Sequence, residues 1–409
     1  MDAKDAVPHA ARRERRWWRY SLRSLFLLTT VLAAACSWFA VRANRAARQR
    51  DAVAALTKLG GFVCYDYQLD SRSPVPPWHP REPLWMQKLL GVDFFADVVS
   101  VTLGCDRELG YLGNLPRLKS LRIDDSGSPE FAITRAGLKA IGGVTRVEEL
   151  EIVLDECDDS ALEPISKLAN LRFLFVCCPN MRGGWLRYVE RLGAIKTIEV
   201  HDGGASDADL EGLAGLCQLE VVAIRDAKVR GPGLASLGAL QRLKTLDLSG
   251  CPIASLKHLP SLPRLEVLTL SECDVTDAGL PRADRSPKLH ELALAGAKVT
   301  DAGLDCLTGF NQLESLDLSS TAITDAGLIR LVGLSKLRRL DLRNNSRITN
   351  SGLRYIEKLT GLQEFLCSDT LVTEEGVKRL QSVLPKCSVF SGRATMKSRP
   401  QNRRLFGQE

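Results

Sequence analysis

Histidine is scarce in this chain of 409 residues, with five in all. His9, His79, His201, His258 and His290 fall in unrelated surroundings, and none sits in H-E-x-x-H or a similar ligand spacing, which removes the helical zinc-hydrolase pattern. A G-x-S-x-G elbow, a glycine-rich phosphate loop and a dinucleotide fingerprint are also missing, so nucleophile-elbow and nucleotide chemistry lack sequence support. The twelve cysteines are scattered. None forms C-x-x-C with histidines, and the adjacent Cys177 and Cys178 are no metal motif. Nothing here implies an enzyme, a cofactor or a metal.

A positive surplus is missing from the body of the chain. Residues 1–50 carry 11 basic and 3 acidic side chains and residues 393–409 carry 5 and 1, which leaves 39 and 45 for the rest. The net charge of +6 therefore belongs to the two ends. A nucleic-acid groove would need its lysines and arginines on the folded body, so no nucleic-acid partner is expected.

What the chain does have is a repeat. Leu313 to Leu331 reads LESLDLSSTAITDAGLIRL. Leu313, Leu316 and Leu318 follow L-x-x-L-x-L, which puts the last two on one face of a short strand. Thr324 and Asp325 then precede Leu328 and Leu331, a spacing that opens a short helix with a hydroxyl able to cap it. The last strand position recurs at Ile123, Ile152, Val176, Val200, Ile224, Leu248, Leu270, Leu294, Leu318 and Leu342, mostly in steps of 24 residues. A 29-residue step before Ile152 reads as a loop insertion and a 22-residue step before Leu270 as a trimmed convex side. Leu103 and Cys367 extend the series to twelve, and Leu384, Cys387 and Phe390 read as a decayed final unit. Such a unit cannot bury its apolar face alone, so the units stack.

Ahead of the repeats, Ser24 to Val41 runs eighteen residues without a charge, enough for a helix to cross the hydrocarbon core. Trp17, Trp18 and Tyr20 flank one end and Trp38 with Phe39 the other, as interfacial aromatic belts do. Six arginines (12, 13, 15, 16, 19 and 23) precede the run and four (42, 45, 48 and 50) follow it. That bias favours a cytoplasmic N-terminus and extracytoplasmic repeats, periplasmic or at the cell surface. Ala33 to Ala35 could imitate a signal-cleavage site, but Trp38, Phe39 and Val41 prolong the apolar run, so the segment is read as an uncleaved signal-anchor.

The expected organisation is a basic cytoplasmic tail at 1–23, a transmembrane helix at 24–41, a juxtamembrane helix at 42–59 ended by Gly60-Gly61, and an N-terminal cap with a proline-rich linker at 60–97. The repeats at 98–392 follow, then a basic tail at 393–409. Within the cap, Phe62, Cys64, Tyr65 and Tyr67 read as a strand and Leu84 to Leu90 as a short amphipathic helix. Trp78, Trp85 and Phe94 could line a pocket or simply cover the solenoid's open end. In an oxidising compartment Cys64 and Cys105 could cross-link this cap.

Most recurring residues have a structural role. Thr276, Thr300, Thr324, Thr349 and Thr373 open the convex segments and can cap them. Gly279, Gly303, Gly327, Gly352 and Gly376 recur three residues later, where the segment is expected to press on the strand layer. Cys251 and Cys273 stand three residues after the strand leucine, where Thr321, Asn345 and Thr370 stand in other repeats, a place where a buried thiol is tolerable.

The pattern L-x-x-L-x-x-L-D-L-S-x-T-x-I-T-D-A-G-L resembles the leucine-rich repeats abundant in some bacterial membrane-anchored proteins, and is similar to the cysteine-containing repeats of F-box substrate receptors. The likeness covers roughly 98–390 and is strongest over 243–380. It implies an α/β fold, a leucine-rich repeat solenoid in which a parallel sheet lines the concave side and short helices the convex one. It implies binding and no particular reaction.

Function is then expected where the repeat is free to vary. Glu149, Glu151, Val153 and Leu154 in one repeat and Phe173 and Phe175 in the next point into the arc as a candidate partner surface, unless the insertion at 124–136 buries them. Asp247, Asp317 and Asp341 form a column on the same face and read as solvated charges. The expectation is a membrane-anchored module that binds a protein or peptide partner. The alternative is a cytosol-facing adaptor analogous to F-box receptors, although no F-box precedes the repeats.

Overall fold

A computed structural model of the chain describes residues 22–68, 83–125, 133–281 and 283–392. The first 21 residues, the proline-rich stretch with Trp78, most of the insertion before Ile152 and the tail from 393 lie outside the described residues.

The leucine pattern produces a single sheet of fourteen strands in strict sequence order. The first six are β1 (Phe62–Tyr65), β2 (Val98–Leu103), β3 (Ser120–Asp124), β4 (Glu149–Val153), β5 (Phe173–Cys177) and β6 (Thr197–His201). Next come β7 (Val221–Arg225) and β8 (Thr245–Asp247), and the series ends at β14 (Ser388–Phe390). β1 pairs antiparallel with β2, and every later pairing is parallel. Twelve strands from β2 on carry the series from Leu103 to Cys367, and β14 is the decayed final unit. The strand leucines form one continuous core; Leu316, Leu318, Leu340 and Leu342 are fully buried. Each strand must then reverse sharply. Two residues after the last strand position the backbone is left-handed at Asp202, Asp226, Gly250, Glu272, Gly296, Ser320, Asn344 and Asp369. Most of these are residue types that tolerate that region.

The convex side consists mostly of 3-10 turns, such as Gly303–Gly309 and Gly327–Gly333. So few residues remain between successive strands that the tighter helix is favoured. The recurring Thr-Asp pairs tie one coil to the next. Asp277 accepts the amide and hydroxyl of Thr300 (2.7 and 2.6 Å), Asp301 those of Thr324, and Asp325 those of Thr349. The recurring glycines make room for this ladder. A Cβ at Gly327 would lie 2.2 Å from Asp301 Oδ1, and one at Gly352 2.4 Å from Asp325 Oδ1. The expected close approach is present, but its neighbour is the preceding coil and not the strand layer: an aspartate carboxylate at Gly303, Gly327 and Gly352, the Asn350 amide at Gly376 and the Ala254 carbonyl at Gly279.

At the other end, the expected transmembrane and juxtamembrane segments are one unbroken helix, α1 (Leu22–Leu59). Residues 23–41 are exposed along their whole length, whereas Ala46, Gln49, Ala52 and Leu56 are buried. That spacing of three, three and four residues lets the second half of the helix cap the solenoid's open end. Arg42 and Arg45 bond Asp97 just before β2, and Gln49 bonds Ala96 O and the Val98 amide. Leu56 O accepts the amide of Gly61, where a Cβ would be 3.3 Å from Thr102 O. The helix thus runs alongside β2, from the edge where the strands start to the edge where they end. Its apolar half projects past the starting edge.

The short helix Leu84–Leu90 (α2) forms as expected, followed by α3 (Val92–Phe95). Trp85 stays exposed, while Phe94 is buried 5.1 Å from Phe39 and 6.4 Å from Trp38, ring centre to ring centre. The described part of the aromatic set is therefore split between surface and cap. Cys64 and Cys105 are free thiols, as are all twelve cysteines.

Candidate interaction surface

Strand register decides which of the expected residues meet. Across β4, β5 and β6, Glu149, Phe173 and Thr197 stand in one row, Glu151, Phe175 and Glu199 in the next, and Val153, Cys177 and His201 in the third. Alternation along a strand sends all nine to the same face. Glu149 is exposed there and Glu151, Val153, Phe173 and Phe175 are half-buried. The structure thus brings five of the nine expected residues into one patch. Leu154 is a correction. It is 1% exposed and its amide bonds Cys177 O, so it packs in the core one step beyond the strand.

The aspartate column is corrected as well. The Asp247 carboxylate accepts the Ser249 amide and hydroxyl (3.0 and 2.6 Å) and the Arg225 guanidinium (2.7 Å). Asp317 takes up Ser319 in the same way (2.9 and 2.7 Å), and Asp341 the amide and guanidinium of Arg343. Asp247 and Asp341 are 8% and 1% exposed. Each carboxylate fixes the backbone turn two residues on, as a short acidic side chain can. The expected solvated charges are turn-forming groups, and Asp317 alone stays half-buried.

Four polar residues that sequence reasoning passed over complete the patch. Arg122 bonds both Asp124 and Glu151. Phe175 meets the His201 ring edge-on at 4.9 Å. His201 Nε2 lies 2.8 Å from Arg225 Nη1, and Arg225 also bonds Asp247. Burial pulls the His201 pKa down, and the neighbouring Arg225 pulls it further. The ring is therefore neutral, with Nε2 accepting from the guanidinium. Burial pushes the Glu199 carboxyl up; Arg225 opposes this, while Asp247 and Glu151 add to it. Glu199 is a half-buried carboxylate whose nearest compensating charge already serves two other groups. The 24-residue register could have pointed to Glu199 and His201, since they stand one repeat after Phe175 and Cys177.

The patch has a binding surface's composition, with aromatic rings and charged groups that the core does not consume. Among the described residues no group of three or more histidine, cysteine or acidic side chains could hold a metal.

Residues 287–346 match the family model described as Leucine rich repeat, and residues 242–265 match a second model of the same description. The repeats are leucine-rich repeats. The solenoid is similar to an internalin from Listeria monocytogenes at 18% identity and a TM-score of 0.50, covering 75% of this chain and 92% of that one. A leucine-rich repeat protein of Leptospira interrogans gives 19% identity and a TM-score of 0.48 over 68% of this chain and 74% of that one. These likenesses concern the fold. A Trypanosoma equiperdum protein named "Putative adenylate cyclase regulatory protein" is 28% identical over 166 residues, 40% of this chain. The matched stretch spans a quarter of that relative's length.

Proposed function

We propose that this leucine-rich repeat protein is a membrane-anchored interaction module without catalysis. It holds a protein or peptide partner against the sheet face at β4 to β7. Residues 24–41 span the bilayer, residues 1–23 lie in the cytoplasm, and the repeats lie outside it. The observation that carries the binding reading is the row Glu151, Phe175 and Glu199, flanked by Phe173 and His201 and left half-open where the sheet could have been closed by small residues. Support for the anchor is the fully exposed apolar half of α1, in line with a half that caps the solenoid. The six arginines before the span against four after it favour the orientation.

The test uses full-length protein taken from membranes in mild detergent. Proteins that co-purify with the native chain are expected to be lost from Phe173→Ser and Phe175→Ser variants that remain folded, with a cooperative thermal transition well above the assay temperature. Unaltered recovery with those variants would remove this surface from consideration. A C-terminal alkaline-phosphatase fusion is expected to be active; an inactive fusion reverses the topology and leaves the surface standing.

A further inference from the structure

The nearly balanced charge of the repeats hides a sharp segregation between the two edges of the sheet. At the edge where strands start, one position per coil forms a hydrogen-bonded inner row. The amide of Glu148 donates to Lys119 O, Arg172 to Glu148 O, Lys196 to Arg172 O and Glu220 to Lys196 O, and the chain continues to Gln363. Acids and bases are interspersed along this row, with Arg172 and Lys196 the adjacent pair of like charge, and they nearly balance. Glu148 lies between Lys119 and Arg172 (3.7 and 3.8 Å), and Glu220 between Lys196 and Lys244 (3.8 and 2.8 Å).

Two residues earlier in each coil lies an outer row that, Arg117 beside Asp97 apart, is not paired with acids. From residue 117 to residue 336 it has ten positions, of which Arg117, Arg146, Arg242, Arg264, Lys288 and Lys336 are cationic and none is acidic. All six are exposed. Arg242 and Lys336 reach only the neutral amides of Gln218 and Gln312, each at 2.6 Å. At strand spacing the row extends roughly 40 Å. The opposite edge carries exposed acids, among them Asp155, Asp202, Asp226, Glu272 and Asp369, beside the scattered lysines Lys228 and Lys298.

The row starts where the apolar helix leaves the solenoid. Asp97 holds Arg117 at 3.5 Å and also Arg42 and Arg45, the first cations after Val41, at 3.4 and 2.8 Å. Because α1 runs alongside β2 and its apolar half projects past the starting edge, that edge faces the bilayer once residues 24–41 are inserted. The acidic edge faces away. We infer that the outer basic row is a lipid-docking edge, which lays the solenoid along an anionic membrane surface beside its own anchor. The inference rests on the anchor reading above. A row of basic groups within a Debye length of anionic headgroups is drawn to them, and salt weakens the attraction.

The experiment places full-length protein in nanodiscs of phosphatidylcholine alone or with about a third phosphatidylglycerol, and reads lysine acetylation rates by mass spectrometry. Lys288 and Lys336, far along the row from the anchor, are expected to react about five-fold more slowly in the anionic discs. Lys228 and Lys298, exposed at the opposite edge, are expected not to change. Molar salt, or the pair Arg242→Glu and Arg264→Glu, should restore the Lys288 rate. Equal rates in both discs overturn the inference, as does slowing at both edges alike. Protection by added RNA but not by phosphatidylglycerol overturns it in favour of a nucleic-acid partner. Release of the protein from the discs by alkaline carbonate sinks the anchor reading and this one together; retention with equal rates sinks this one alone.

Discussion

Between Val98 and Arg225 the strands run five or six residues, whereas from Thr245 onward each has three. One column of the sheet shows what separates the two halves. In register it reads Glu151, Phe175, Glu199 and Ala223 in the early coils, then Asp247, Thr269, Ala293, Asp317 and Asp341. At three of the later positions an aspartate turns back to its own chain and fixes the bend. In the early coils Glu151, Phe175 and Glu199 are too long or of the wrong type for that turn and stay half-buried on the sheet face, while Ala223 is buried. Side chains of the later half also satisfy buried carbonyls, mostly those of the preceding coil. Asn345 bonds Leu318 O and Leu342 O (2.8 and 3.0 Å), and the thiols of Cys251 and Cys273 reach Ile224 O and Leu248 O.

The largest expected effect sharpens this contrast directly. Leu316→Ala, at a fully buried position, should lower stability by about 2–5 kcal/mol, read by denaturant unfolding, without removing the partner patch. Phe175→Ala, at a half-buried position, should cost roughly 1 kcal/mol and abolish partner recovery. Comparable destabilisation by both would erase the division of labour.

Next comes Asn345→Ala, at a side chain that is 1% exposed, which removes the donor to Leu342 O and the acceptor of the Thr321 amide while Leu318 O keeps the Thr321 hydroxyl; it should cost about 1–3 kcal/mol. Cys251→Ala removes one weak donor and should cost less in the same unfolding experiment. The third effect tests the coil-to-coil ladder. Gly327→Ala drives a methyl group against Asp301 and should cost about 1–3 kcal/mol. In an Asp301→Ala background that penalty should shrink, giving a non-additive cycle; strict additivity would mean the glycine serves something else.

The smallest effect is on pH dependence and belongs to the early half. The folded pKa of His201 is lowered, so the unfolded chain takes up the proton first. The stability contributed by the neutral ring is present above the ordinary histidine value, about 6.5, and drains away as pH falls through and below it. Glu199, with its pKa raised, acts in the opposite sense: its contribution is complete below the ordinary carboxylate range and is lost as pH rises through its folded value. His201→Gln should therefore flatten the decline in melting temperature below about pH 6.5. An unchanged decline would show that other groups carry it.

Much of this architecture was legible in the chain itself, because one period in the twenties fixes strand, turn and stacking together. Leu103 to Cys367 and the decayed last unit fall where the leucine spacing places them. Other features depend on contacts between coils, which spacing within one coil does not reveal. Leu154 reads as a surface residue only until the strand is seen to end at Val153. Asp247 and Asp341 look solvated until Ser249, Arg225 and Arg343 are found around them. The second half of α1 reads as a juxtamembrane helix, and its role as the solenoid's cap emerges only from Gln49, Ala52 and Leu56 packing on the first coil. Charge segregation escaped composition altogether, since basic and acidic edges cancel in any count along the chain.

The central claim, that binding resides in the early coils while the regular coils hold the fold, is tested most directly by placing a photoreactive amino acid at position 175 or at position 315 of the full-length membrane protein. The account predicts a discrete cross-linked product from 175 and none from 315. Cross-linking from 315 alone, or equally from both, would contradict it.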